Sequence, residues 1–75
     1  MTEYPAVGSR EVKRALVRDD WLPRRGRGHT IYSKGGRTVV VDDDVKRFSP
    51  KLLGLMRRQV GLDRDAFIDL LRGDR

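Results

Sequence analysis

Apolar residues recur at helical spacing at Val12, Ala15 and Leu16, with Lys13, Arg14 and Arg18 between and beyond them. Ser9 precedes this stretch as a good N-cap residue, and Glu11 falls in the first turn, where a carboxylate meets the positive end of the helix dipole. The pattern predicts a helix of about three turns that ends near Asp19-Asp20. From Leu22 the period changes. Pro23 restricts Leu22 to extended geometry and excludes a central strand position, so Arg24 to Arg27 is predicted to be the edge strand or its approach. Two runs of β-branched and aromatic residues, His29 to Ser33 and Arg37 to Asp42, flank Gly35-Gly36 in a hairpin signature. Alternation puts Thr30 and Tyr32 on one face and His29, Ile31 and Ser33 on the other. A sheet covered on one side only is expected to bury Tyr32 and leave His29 and Ser33 open.

After a loop from Asp42 to Phe48, Ser49-Pro50 marks a second helix start, with a capping serine and a proline at the first helical position. Leu52, Leu53, Leu55, Met56 and Val60 supply its apolar positions, and Gly61 ends it. Asp63 caps a last short helix carrying Ala66, Phe67, Leu70 and Leu71 before Gly73. Trp21, Phe48 and Phe67 are expected in the core. The order predicts an α+β fold, a two-layer, dsRBD-like α-β-β-β-α domain over residues 9–73 with an extra short C-terminal helix. Residues 1–8, with Pro5, Gly8 and no periodicity, are expected to form a flexible lead-in.

Composition narrows the chemistry. A chain of 75 residues has room for one small core, burying roughly 60% of the surface its unfolded form would expose. Hydrophobic and charged residues each make up 37%, yet the apolar ones are periodic, which argues for a folded domain over disorder. There is no cysteine and a single histidine, which argues against disulfides, a thiolate metal site or a zinc centre. No metal or other cofactor is expected. Without an apolar run of signal or membrane-spanning length, the expected location is cytoplasmic, with no membrane partner.

The net charge of +6 points to nucleic acid or an acidic protein as partner. Arginine outnumbers lysine 13 to 4, which fits either forked phosphate contacts or a GC-rich genome. Between Asp20 and Asp42 there is no acidic residue. This basic ribbon contains Arg24, Arg25, Arg27, Gly28, Lys34 and Arg37, the candidate nucleic-acid-binding residues, around His29. An imidazole titrates near pH 6.5 when unperturbed, so His29 is a candidate general base for a ribose 2′-hydroxyl. Arg25, Arg27 and Arg37 are candidates to stabilise phosphorane charge, and Gly28 would admit a phosphate close to the backbone. With no second histidine, Lys34, Tyr32 or water would have to act as the acid. The plainer reading of the same residues is a solvated edge strand whose charges block sheet-to-sheet association. Asp42-Asp43-Asp44 reads as a solvated loop, and Arg57-Arg58 as the wet face of a helix or a second phosphate clamp.

From Ser9 to Leu71 the chain resembles the HicA-type toxins, small bacterial mRNA-cleaving proteins paired with HicB-type antitoxins. Ser9-Arg10-Glu11-Val12 is similar to the opening of that family's first helix, and Asp20-Trp21 to the Gly-Trp that commonly ends it. Gly28-His29-Thr30-Ile31-Tyr32 resembles its Gly-Ser-His stretch, Gly36-Arg37-Thr38-Val39 the strand that follows, and Ser49-Pro50 with Leu52-Leu53 its Pro-Gly-Thr-Leu motif. Val60-Gly61-Leu62 with Phe67 and Leu70-Leu71 resembles its ending. The resemblance implies an mRNA interferase, a metal-independent endoribonuclease with His29 catalytic, acting on mRNA or other single-stranded RNA. It also implies silencing by an acidic HicB-type antitoxin over His29. The chain departs from the family at Arg27-Gly28, where Gly-Ser is usual, and at Asp42-Asp43-Asp44, where a proline and often a further basic or histidine residue follow. The alternative is a catalytically inactive HicA-like module that binds nucleic acid or a host protein through the same basic ribbon.

Overall fold

The structure, a computed structural model, describes residues 3–73. Among them the elements in order are α1 (Ser9–Arg18), β1 (Leu22–Arg25), β2 (His29–Lys34), β3 (Arg37–Asp42), α2 (Pro50–Val60) and α3 (Arg64–Arg72). The strands form one antiparallel sheet in the order β1-β2-β3. Thr30, Tyr32, Val39 and Val41 are buried on one face beneath the helices. On the other, Ile31 is half-buried, and Val40 and Leu22 are 43% and 72% exposed. The protein is therefore α+β, with its helices on one side of a three-stranded sheet. That asymmetry leaves Tyr32 inside, His29 half-buried and Ser33 exposed, as alternation along β2 requires.

The connections explain the ends of the elements. Gly35 and Gly36 turn β2 into β3 with φ of 56° and 80°, the left-handed values a two-residue hairpin needs. The Ser49 hydroxyl accepts from the Leu52 N–H at 3.2 Å, and Pro50 opens α2 where a missing N–H costs nothing. Gly61, in the left-handed region, closes α2 with its N–H on the Arg57 carbonyl. Asp63 caps α3 by accepting from the Ala66 N–H at 2.8 Å. At the end of α1, Asp20 takes φ of 67°, an uncommon value for a side-chain-bearing residue.

The start of α1 corrects the expectation that Ser9 is its cap. Gly8 takes that position and Ser9 is the first helical residue. Crowding requires a glycine there: a Cβ on Gly8 would lie 2.3 Å from the Lys46 carbonyl oxygen. The Ser9 hydroxyl instead donates to the Asp42 carbonyl and accepts from the Val45 N–H at 2.9 Å. Glu11 still serves the helix start, accepting from the Gly8 N–H at 2.9 Å.

α1 and α2 rest on β3, and α3 packs against both helices. Phe67, Leu16 and Leu53 are among the largest fully buried side chains, each burial stabilising by about 1.5–3 kcal/mol. Met1 and Thr2 of the expected flexible lead-in lie outside the described residues. The remainder carries contacts: Val7 is buried, its carbonyl accepts from the Phe48 N–H at 2.8 Å, and Tyr4 meets Phe67 edge-on with centroids 6.2 Å apart. No helix among the described residues is long and apolar enough to cross a membrane.

Candidate nucleic-acid interface

The edge strand β1 turns into β2 through Arg27-Gly28. The Gly26 N–H reaches the His29 carbonyl at 2.9 Å, and Gly28 has φ of 73°, which favours glycine. Extrapolating the antiparallel register past the turn sets Gly26 opposite His29. On the open face of the sheet the imidazole leans over that bare backbone. A Cβ on Gly26 would lie 2.6 Å from His29 Nε2. Arg24, opposite Ile31, shares this face and lies diagonal to His29. Arg25 points to the other face at the sheet's edge, near enough for its charge to act on the Tyr32 phenol. Arg27 and Gly28 are exposed in the turn itself. Thus Arg24, Arg25, Arg27 and Gly28 gather around His29 at one end of the ribbon.

Lys34 and Arg37 do not join them. They face each other across the far hairpin, five residues along β2 from His29, or roughly 17 Å. The Lys34 ammonium donates to the Asp19 carbonyl at 2.6 Å and lies 3.3 Å from the Asp19 carboxylate. Arg37 packs against Gly61, where a Cβ would come within 2.6 Å of its guanidinium carbon. The two candidate side-chain acids are therefore withdrawn from His29. Lys34 is tied to the end of α1, and Tyr32 is buried on the helix side, 3% exposed, its pKa raised by burial.

The acidic run, read from sequence as a solvated loop, is part of the site. Asp42 faces His29 across the β2–β3 ladder. Because the Asp43 N–H bonds the Gly28 carbonyl at 3.0 Å, the adjacent His29–Asp42 pair falls at a non-hydrogen-bonded position, where opposed Cβ atoms lie about 4.5–5.5 Å apart. The Asp43 carboxylate accepts from Thr30 Oγ1 at 2.9 Å and from the Lys13 ammonium, with which it forms an ion pair. Hydrogen bonds from Lys13 and then Thr30, with the charges of Lys13 and His29 behind them, hold its carboxyl below its ordinary pKa. Nothing local in the sequence marks a pairing thirty residues apart between Lys13 and Asp43. The buried threonine in an apolar strand row was the available hint, since a buried hydroxyl needs a partner. Asp42 and Asp44 are exposed and fit the solvated description, and Asp43 is half-buried.

Chemically, this end of the sheet offers one accessible imidazole, three arginines on two faces of an edge turn, and a carboxylate opposite the ring. Among the described residues no group of three or more histidine, cysteine, aspartate or glutamate side chains could hold a metal ion. Comparisons with known protein families, curated proteins and solved structures returned no match.

Proposed function

We propose that this protein is an HicA-like, dsRBD-like RNA-binding domain that acts as a metal-independent endoribonuclease toxin in the cytoplasm. The observation that carries the reading is the half-open imidazole of the lone histidine, lying over the bare backbone of Gly26 beside Arg24 and Arg27. Asp20 adds support. Its φ of 67° is one that glycine adopts without strain, which suits the Gly-Trp ending of the family's first helix. In the mechanism, the neutral imidazole takes the proton of a ribose 2′-hydroxyl, and the 2′-oxygen attacks the adjacent phosphorus. Arg24 and Arg27 meet the charge that grows on the phosphoryl oxygens. The 5′-oxygen leaves with a proton from water, giving a 2′,3′-cyclic phosphate and a 5′-hydroxyl. An acidic HicB-type antitoxin would silence the site by covering His29 and the arginines.

The test is incubation of wild-type and His29→Ala protein with labelled mRNA in chelator, followed by end mapping. Cleavage by the wild type alone, with cyclic phosphate ends, is the expected result. Equal cleavage by both proteins refutes the assignment of His29.

A second reading, binding without cleavage, is favoured by the withdrawal of Tyr32 and Lys34 from His29. It expects RNA retention with no cutting by either protein. If about five phosphates are engaged on a single strand, affinity should fall with salt at a log-log slope near −3.5. A slope near zero removes nucleic acid as the ligand.

A further inference from the structure

On the helix side of the molecule, away from the open sheet face, α2 presents a second surface. Its inner positions Leu53, Met56 and Val60 are buried, but Leu52 and Leu55 remain 43% and 52% exposed. They line a groove of about 630 Å³ together with Tyr4, Pro50 and Gly54. Gly54 is unexplained by the fold. It sits inside a helix, where glycine is less stable than alanine, and a Cβ there would find only the Tyr4 hydroxyl, 3.8 Å away. Among the described residues nothing else comes within 4 Å of that space. What the missing side chain does is deepen the groove.

The rim is wholly cationic. Lys51, Arg57, Arg58 and Arg64 line it, and no acidic residue among those described does. Arg57 is held by donating to the Leu62 carbonyl at 3.0 Å, and Arg64 lies over the Tyr4 ring, 4.7 Å from its centroid. The first turn of α2 carries no acidic residue, so the positive end of that helix dipole adds to the same field. Cations arranged around a preformed apolar floor suit a ligand with acidic groups and an apolar anchor. A single-stranded RNA fits less well. The groove's one aromatic ring is occupied, with Arg64 over it and Phe67 at its edge, and gives no stacking platform for bases.

We propose that this groove docks an acidic segment of a partner protein, seating a leucine or aromatic side chain over Gly54 between Leu52 and Leu55. The surface is separate from the ribbon around His29, and the inference stands whether or not that ribbon cleaves RNA.

The probe is a phage-displayed library of random linear peptides selected on the wild-type protein, with the enriched peptide then titrated by fluorescence polarisation. Enrichment should combine aspartate or glutamate with a bulky apolar residue. Leu55→Ser, Arg58→Glu and Gly54→Leu, the last by filling the groove, should each weaken that peptide by roughly tenfold or more, and His29→Ala should leave it unchanged. Thermal melts confirm that the variants fold. The proposal is overturned by no enrichment, by peptides lacking acidic residues or anchors, or by affinity that survives both Gly54→Leu and Leu55→Ser. It is overturned equally if labelled single-stranded RNA, and no peptide, loses binding in Arg58→Glu, which would make the groove a phosphate surface.

Discussion

Gly26→Ala separates the position of the imidazole from the integrity of the fold. Gly26 is not among the glycines with positive φ, so alanine can adopt its backbone conformation. The new Cβ would sit 2.6 Å from His29 Nε2, against an ordinary contact of about 3.6 Å. The ring must therefore move by about 1 Å, and it can, because it is the free end of a side chain. On the proposed reading of His29 as the base, misplacing it by that distance costs up to about 100-fold in rate, equivalent to about 2.7 kcal/mol. Stability should move the other way, rising by about 0.4–1 kcal/mol through the lost freedom of the unfolded chain, or a few degrees in Tm. The assays are initial-rate cleavage of labelled mRNA, a thermal melt, and the imidazole proton resonances of His29. Wild-type cleavage by Gly26→Ala, alongside an inactive His29→Ala, would refute the positioning argument. Unmoved imidazole resonances would refute the contact itself.

Gly8→Ala is the contrasting case, because its Cβ would strike backbone at Lys46 and Val45, 2.3 and 2.5 Å away. A loss of about 1–3 kcal/mol is expected, read from the denaturant midpoint. Asp43→Asn should flatten the acid limb of the stability curve. The folded pKa of Asp43 lies below its ordinary 3.8, so the unfolded chain takes up the proton first, and the contribution is present above about pH 4 and lost as pH falls through the folded value. Melting temperatures of wild type and variant should thus converge on acidification; a gap that widens instead is the contrary result. Phe67→Ala, at a residue 1% exposed, should cost about 3–5 kcal/mol of the roughly 4–11 kcal/mol expected for a domain of this length. A fall in Tm of less than roughly 15 °C would place Phe67 outside the main core.

Local rules made most of the fold legible. Ser49-Pro50, Asp63, Gly61 and Gly35-Gly36 each determine the backbone around them, and the helix and hairpin boundaries follow. Alternation along β2, together with helices on one side of the sheet only, oriented His29 and Tyr32. The features that were not legible depend on residues far apart in the chain. Ser9 leaves the cap to Gly8, and its hydroxyl bonds instead to the backbone of Asp42 and Val45. Asp43 gains fixed partners because Lys13 and Thr30 converge on it. Arg27-Gly28 resembled a phosphate approach, but its conformation is first that of a tight turn. The basic ribbon read as one field in sequence, yet extended geometry separates its two ends, and Lys34 and Arg37 belong to the far one.

The clasp between Ser9 and Val45 also bears on the order in which the chain can complete itself during synthesis. Both the N–H and the hydroxyl of Ser9 find their partners among residues 42–45, so these anchors of α1 form only after the sheet has emerged. Arg18 at its other end bonds the Leu70 carbonyl at 2.8 Å, within α3. Contacts of such long sequence separation slow folding. A nascent chain halted before Leu70 would hold its ribbon of arginines on an unfinished support, because α1 would still lack the bond from Arg18 to the Leu70 carbonyl.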